Sequence, residues 1–195
     1  NGKDMTKASI RERNMMMSHI PEDRHKFGLV LDYPLSYNLA LKNYFKPGFV
    51  NKAGFLNYAK FDSYANELIE KFDIRSGQGG ITPARAMSGG NQQKAIVARE
   101  IDQGSDVLIA VQPTRGLDIG AINAIHEYIL AEARKGKAVI LISYELDEIL
   151  KIASRVVVMD HGKIVMDKLK VRTNRQQIGQ FLMRTGSQTR EGGTK

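Results

Sequence analysis

Two short apolar runs, separated by about one helix length of mixed sequence, constrain this chain most. Residues 107–111 read VLIAV and residues 138–142 read AVILI. Five consecutive apolar residues without polar alternation suit a strand buried on both faces, which is the strand of a parallel sheet. Parallel neighbours need a crossover, and the helical stretch Ile119 to Arg134, closed by Lys135-Gly136, supplies one. Upstream, residues 15–20 (MMMSHI) read as a short buried strand ending at Pro21. Downstream, a helix over Glu145 to Ile152 leads to a strand over Val156 to Met159, and His161-Gly162 turns the chain into Lys163 to Met166. Strands alternating with helices predict an α/β fold with a mainly parallel sheet. Residues 36–74 break this pattern: Leu39, Phe45, Phe55, Phe61, Leu68 and Phe72 stand among polar residues, which predicts helices and loops. The Gly-rich stretch from Ser76 to Arg85 reads as a loop.

The strongest chemical signal is Met87-Ser88-Gly89-Gly90-Asn91-Gln92-Gln93-Lys94, which opens a helix running through Ala95 to Ile101. Ser88 is a natural N-cap, and the two glycines let a backbone approach an anion closely. A helix start presents free N–H groups and the positive end of the helix dipole, so a phosphate group is the matching ligand. A Gly-rich cap with no ligand is equally compatible with these eight residues alone.

The motif has company. The chain continues with VLIAVQPT over residues 107–114, RGLD over 115–118 and ISYELDE over 142–148. In this order the four segments resemble the signature loop, Walker B strand, D-loop and switch segment of an ABC ATPase. Ile20-Pro21-Glu22-Asp23-Arg24 followed by Gly28-Leu29-Val30-Leu31 is similar to the Q-loop region of one subgroup. That subgroup is the second, C-terminal domain of double-domain ATP-binding subunits of simple-sugar and nucleoside importers. Asn91-Gln92-Gln93-Lys94 and RGLD resemble it too, and Ala110-Val111-Gln112 resembles its basic membrane protein-type nucleoside branch.

The resemblance implies a RecA-like core over residues 1–35 and 87–168, with a helical subdomain over 36–86 and a C-terminal helix and tail over 169–195. It implies nucleotide contact by Ser88, Gly89, Gly90, Asn91, Glu22 and Asp118, and permease contact by Arg24, Phe27, Tyr33 and residues near Phe45 to Phe55. ATP and Mg²⁺ are the implied cofactors of the assembled transporter. The implied partners are a second ATPase domain, N-terminal in the same subunit, transmembrane permease subunits and, indirectly, a substrate-binding lipoprotein, with no nucleic acid. The expected location is the cytoplasmic face of the plasma membrane.

The departures from the family pattern are informative. No G-x-x-x-x-G-K-[ST] phosphate loop occurs in the sequence. Its place in the pattern is upstream of Asn1, where Asn1-Gly2 reads as a hairpin turn lacking its first strand. The family's magnesium-holding Asp is Val111, its catalytic Glu is Gln112, its switch His is Tyr144 and its Q-loop Gln is Glu22. An amide cannot take a proton from water, and removing a general base costs roughly 10²–10⁴ in rate. A phenol titrating near pH ~10 does not replace an imidazole. These losses all fall on the side that would hold the domain's own nucleotide, whereas the signature is kept. The expectation is a domain inactive alone, with a degenerate site of its own, whose signature completes a competent site on a partner.

Composition narrows the alternatives. The chain has no Cys, which excludes a disulfide framework and thiolate metal sites, and no metal site is expected. No run of ~18 apolar residues appears. The net charge of +8 admits a nucleic acid or an anionic membrane surface as partner. The basic residues are scattered; the densest group, Lys163, Lys168, Lys170, Arg172 and Arg175, reads as a solvated face or as a membrane-proximal one. A soluble non-transport ABC protein acting on ribosomes or DNA remains the alternative reading, with a tail from Gly186 expected to be disordered.

Overall fold

A computed structural model describes Gly2 and residues 4–188, without the side chains of 183–188; Asn1 of the predicted turn and the tail from Thr189 lie outside the described residues. The chain divides into two units, residues 1–142 and 143–195.

The first unit is built on a three-stranded parallel sheet of β1 (Met17–Ile20), β2 (Val107–Val111) and β3 (Ala138–Ile142), in that order. The expected strand over residues 15–20 is therefore shorter at its start. Met15 and Met16 close a helix, α1 (Ile10–Met16), instead. Ser9 caps α1 by accepting from Glu12 N, while the Glu12 carboxylate reaches back to Ser9 N at 2.8 Å. This reciprocal cap, not the methionine run, decides the local structure. After β1, Arg24–Gly28 forms a single π-helical turn, capped by the Asp23 carboxylate at 3.0 Å from both His25 N and Lys26 N.

Helices α2 (Leu35–Ala40) and α3 (Tyr58–Lys71) carry the helical part. Asn57 caps α3, and Phe61, Tyr64, Ala65 and Leu68 repeat at helical spacing, so one stripe faces inward. That stripe packs with Leu35, Leu39, Phe49 and Phe72 and with Met87, Ala95 and Ala98 of the signature segment. Each fully buried large side chain contributes ~2 kcal/mol. Helix α4 (Gly89–Asp102) is covered on nearly every side, because one face joins this cluster and another lies on β1. Gly28 is where the π turn meets α4: a Cβ there would sit 2.5 Å from Ile96 Cδ1. Helix α5 (Ile119–Arg134) is the β2–β3 crossover, burying Ala121, Ile125 and Ile129.

The second unit contains α6 (Leu146–Ile152), the antiparallel hairpin β4 (Arg155–Asp160) and β5 (Lys163–Leu169), and α7 (Arg175–Gln188). Val156, Val158, Met166 and Ile178 form its core. The strand predicted over Val156 to Met159 thus belongs to a hairpin, not to the three-stranded parallel sheet. His161 and Gly162 both have positive φ, 44° and 77°, as the tight turn joining its strands requires. Residues 186–188, expected in the tail, end α7.

Candidate functional site

The site grows from the first turn of α4. Ser88 takes extended dihedrals and its Oγ accepts from Asn91 N at 3.4 Å, while Gln92 N donates to Ser88 O at 2.9 Å. The first N–H groups of a helix have no intrahelical acceptor, so Gly89 and Gly90 present theirs outward. Ser88 is exposed and the two glycines are half-buried. Gly90 is where α4 meets α5. A Cβ there would stand 3.1 Å from Ala121 Cβ, so the lack of one lets the two helix starts approach closely. Asp118 caps α5 by accepting from Ala121 N at 2.9 Å, and its second oxygen faces Gly90.

The three amides after the glycines each tie α4 to a different loop. Asn91 Oδ1 accepts from Arg75 N at 2.8 Å and its Nδ2 donates to Ser88 Oγ at 2.9 Å. Gln92 Nε2 donates to Ala84 O at 2.9 Å, which leaves Gln92 Oε1 to accept from His25 Nε2 at 2.9 Å. The peptide oxygen fixes the Gln92 amide, and that in turn fixes the proton on His25 Nε2. Gln93 Nε2 donates to Pro113 O at 2.8 Å. Lys94 completes the collar by donating to Asp73 O and Oδ2 at 2.6 and 2.7 Å, and its ammonium holds the Asp73 carboxyl below the usual range.

Glu22 and Arg24 join the same mouth. The Arg115 guanidinium pairs with the Glu22 carboxylate, and Arg24 Nη1 donates to Arg115 O at 3.1 Å. Arg24 Nη2 lies 3.0 Å from where a Cβ on Gly89 would be. The Arg24 guanidinium lies against the start of α4 and the RGLD segment. Phe27 and Tyr33 are exposed, as are Tyr44 and Phe55, while Phe49 fills the helical core. Within the first unit the structure therefore gathers Ser88, Gly89, Gly90, Asn91, Asp118, Glu22 and Arg24. Sequence reasoning missed Arg75, whose backbone amide orients Asn91, and Arg115, whose place inside RGLD was the available signal.

The end of β2 differs in kind. Val111 offers no ligand atom. Gln112 is buried, has a left-handed φ of 48° and donates its N–H to Ile142 O at 2.8 Å. Neither side chain is anionic, and no cluster of three or more His, Asp or Glu occurs among the described residues, so these residues do not fit a magnesium shell. Tyr144 lies in the second unit and is 86% exposed.

No protein-family profile matches the chain. Among solved structures, the chain superposes on the dimeric ATP-binding cassette MJ0796, bound to ADP and Pi, with a TM-score of 0.65. That likeness covers 82% of this chain and 65% of MJ0796 at 17% identity. The fold is that of an ABC ATPase. In sequence, the chain is similar to ATP-binding proteins of nucleoside and sugar import. It is 48% identical over 178 residues to the nucleoside import ATP-binding protein NupA of Lactococcus lactis, covering 91% of this chain and 35% of NupA. It is 43% identical over 196 residues to the guanosine import ATP-binding protein NupO of Bacillus subtilis, covering 99% of this chain and 37% of NupO. The ribose import ATP-binding protein RbsA of Roseobacter denitrificans is 35% identical over 149 residues, covering 76% of this chain and 28% of RbsA. The chain spans about a third of the length of these curated relatives. No helix among the described residues is long and apolar enough to cross a membrane.

Proposed function

We propose that this chain is the C-terminal ATPase domain of a double-domain ATP-binding subunit of a nucleoside or simple-sugar importer. It donates its signature loop to an ATP held by a partner domain, while its own nucleotide site is degenerate. The observation that carries the reading is the contrast between two ends of one unit. At the α4 start, the Gly89 and Gly90 N–H groups and the Ser88 hydroxyl form an outward set of donors suited to phosphate oxygens. At the β2 end, Val111 and Gln112 offer neither a carboxylate for magnesium nor a base. Further support comes from β3, an edge strand with Ile140 and Ile142 about half-exposed, which suits a neighbouring strand leading into a phosphate loop in the full-length subunit.

In this reading the partner domain holds ATP and Mg²⁺ and supplies the base. The donors of α4 meet the terminal phosphate, where developing charge is stabilised by preorganised N–H groups and the dipole end. The chain alone hydrolyses no ATP. The subunit sits peripherally on the cytoplasmic membrane face, with Phe27 and Tyr33 turned to the permease and the binding lipoprotein reached only through it. The import relatives weigh against a ribosome or DNA factor.

Steady-state ATPase rates of the full-length subunit assembled with its permease test this. Gly89→Glu sets a carboxylate where a phosphate belongs and displaces Arg24, so turnover should fall by at least ~10²-fold. Gln112→Ala and Tyr144→Ala should leave it within about 3-fold, since their site has little general-base chemistry to lose. Equal losses from the two kinds of variant would end the one-live-site reading.

A further inference from the structure

The donor set at the α4 start works only if the Ser88 hydroxyl keeps its proton available, and a neighbouring side chain decides that. A backbone N–H can only donate. Arg75 N lies 2.8 Å from the Asn91 side-chain oxygen, so the Asn91 carbonyl must face Arg75 and its NH₂ must face the other way. That NH₂ donates to Ser88 Oγ at 2.9 Å, and the same oxygen accepts the Asn91 backbone N–H at 3.4 Å. A serine hydroxyl has two lone pairs and one proton. Both lone pairs are committed to Asn91, so the capacity left to Ser88 is donation.

We infer that Asn91 is a positioning residue: it fixes Ser88 as an obligate hydrogen-bond donor toward the phosphate that the signature loop receives. This rests on the reading of the signature given above. It also moves Asn91 from the role of nucleotide contact to one exercised through Ser88. The chemical consequence is selectivity. An exposed serine normally accepts as readily as it donates, so water or a sugar hydroxyl can satisfy it. With its acceptor capacity filled, Ser88 can only donate, which matches acceptor-only oxygens such as those of a phosphate and turns away groups that need to donate to it. The hydrogen bonds run one way, from Arg75 N–H through the Asn91 amide to Ser88, and each polarises the next. The anchor is the connection that follows α3, so the helical part of the first unit sets the Ser88 hydroxyl.

The test is a double-mutant cycle on kcat/KM for ATP, using the full-length subunit assembled with its permease. Ser88→Ala removes a donor to a charged group and should cost roughly 10- to 100-fold. Asn91→Ala frees the hydroxyl to turn and should cost about 3- to 10-fold when Ser88 is present, but less than about 2-fold when it is Ala. Asn91→Asp is the second arm. It is nearly isosteric and still accepts from Arg75 N–H, so the loop stays anchored. Its carboxylate cannot donate to Ser88 and would accept the Ser88 proton instead, so it should lose most of what Ser88→Ala loses. An equal cost of Asn91→Ala in both backgrounds would show a purely structural role and overturn the inference while leaving the signature reading intact. Wild-type kinetics for Asn91→Asp would also overturn it. A neutral Ser88→Ala would sink the signature reading itself, and the inference with it.

Discussion

Glu100 should be the most expensive single polar residue to lose in the first unit. Its side chain is 1% exposed and sits where α4, β1 and the segment after α2 meet. One carboxylate oxygen accepts from His19 N at 3.0 Å and from the Lys42 ammonium, and the other accepts from Arg99 Nε at 3.1 Å. Arg99 is itself buried and donates onward to Asn38 O at 3.2 Å. Glu100→Gln keeps the volume but removes the charge facing two cations, and its NH₂ must point at a donor. Breaking a buried ion pair from one side costs ~3–5 kcal/mol, a large share of a typical stability of ~5–15 kcal/mol. With a urea slope of ~2–3 kcal/mol/M, the midpoint should fall by roughly 1–2.5 M. Lys42→Met should cost less than half as much, because Arg99 and His19 N still hold the carboxylate. Urea denaturation followed by circular dichroism reads both variants. A Glu100→Gln loss below ~1 kcal/mol would mean that water reaches the carboxylate and that the network does not join α4 to β1 as argued.

Two further outcomes follow from particular side chains. Burial by itself raises the pKa of Glu132, but hydrogen bonds from Lys135 at 2.6 Å and Lys137 at 2.5 Å outweigh it and hold the carboxyl below its usual value. A depressed folded-state pKa gives stabilisation that is complete above the unfolded carboxylate range near pH ~4.3 and is lost as pH falls through the folded value. Glu132→Gln should therefore melt below the wild type at pH 7, with the gap closing in melting curves below pH ~4. A gap that stayed constant to pH 2 would contradict the assignment. In the assembled importer, cysteines at Phe27 and Tyr33 should cross-link to the permease while one at Arg24 should not, because its side chain lies on Gly89 and the Arg115 carbonyl. Cross-linking at 24 alone would restore it to the permease groove.

What could be read from the sequence divides along physical lines. Val107–Val111 and Ala138–Ile142 form strands at the predicted residues because runs buried on both faces announce themselves without reference to neighbours. Helix α5 is found for a local reason as well: Asp118 caps it and a positive-φ Gly136 ends it. At Met15 and Met16 the apolar composition favours a strand, but Ser9 and Glu12 stand at the spacing of a capping box and the helix they start runs through both. Val156–Met159 was equally apolar, yet the His161-Gly162 turn pairs it with the next strand as an antiparallel hairpin. The Ser88 cap and the helix start after it were legible because they are local: one cap, two glycines and a helix start lie within four residues of each other. Arg24 and Arg75 were not, since their contacts depend on how the π turn and the end of α3 fold back onto α4. The importer resemblance placed Arg24 by motif alone and gave no sign that the glycine at 89 leaves the space that its long guanidinium occupies. The glycines that free the backbone for an anion thus also admit the side chain that braces it, and a motif read in one dimension carries only the first of these meanings.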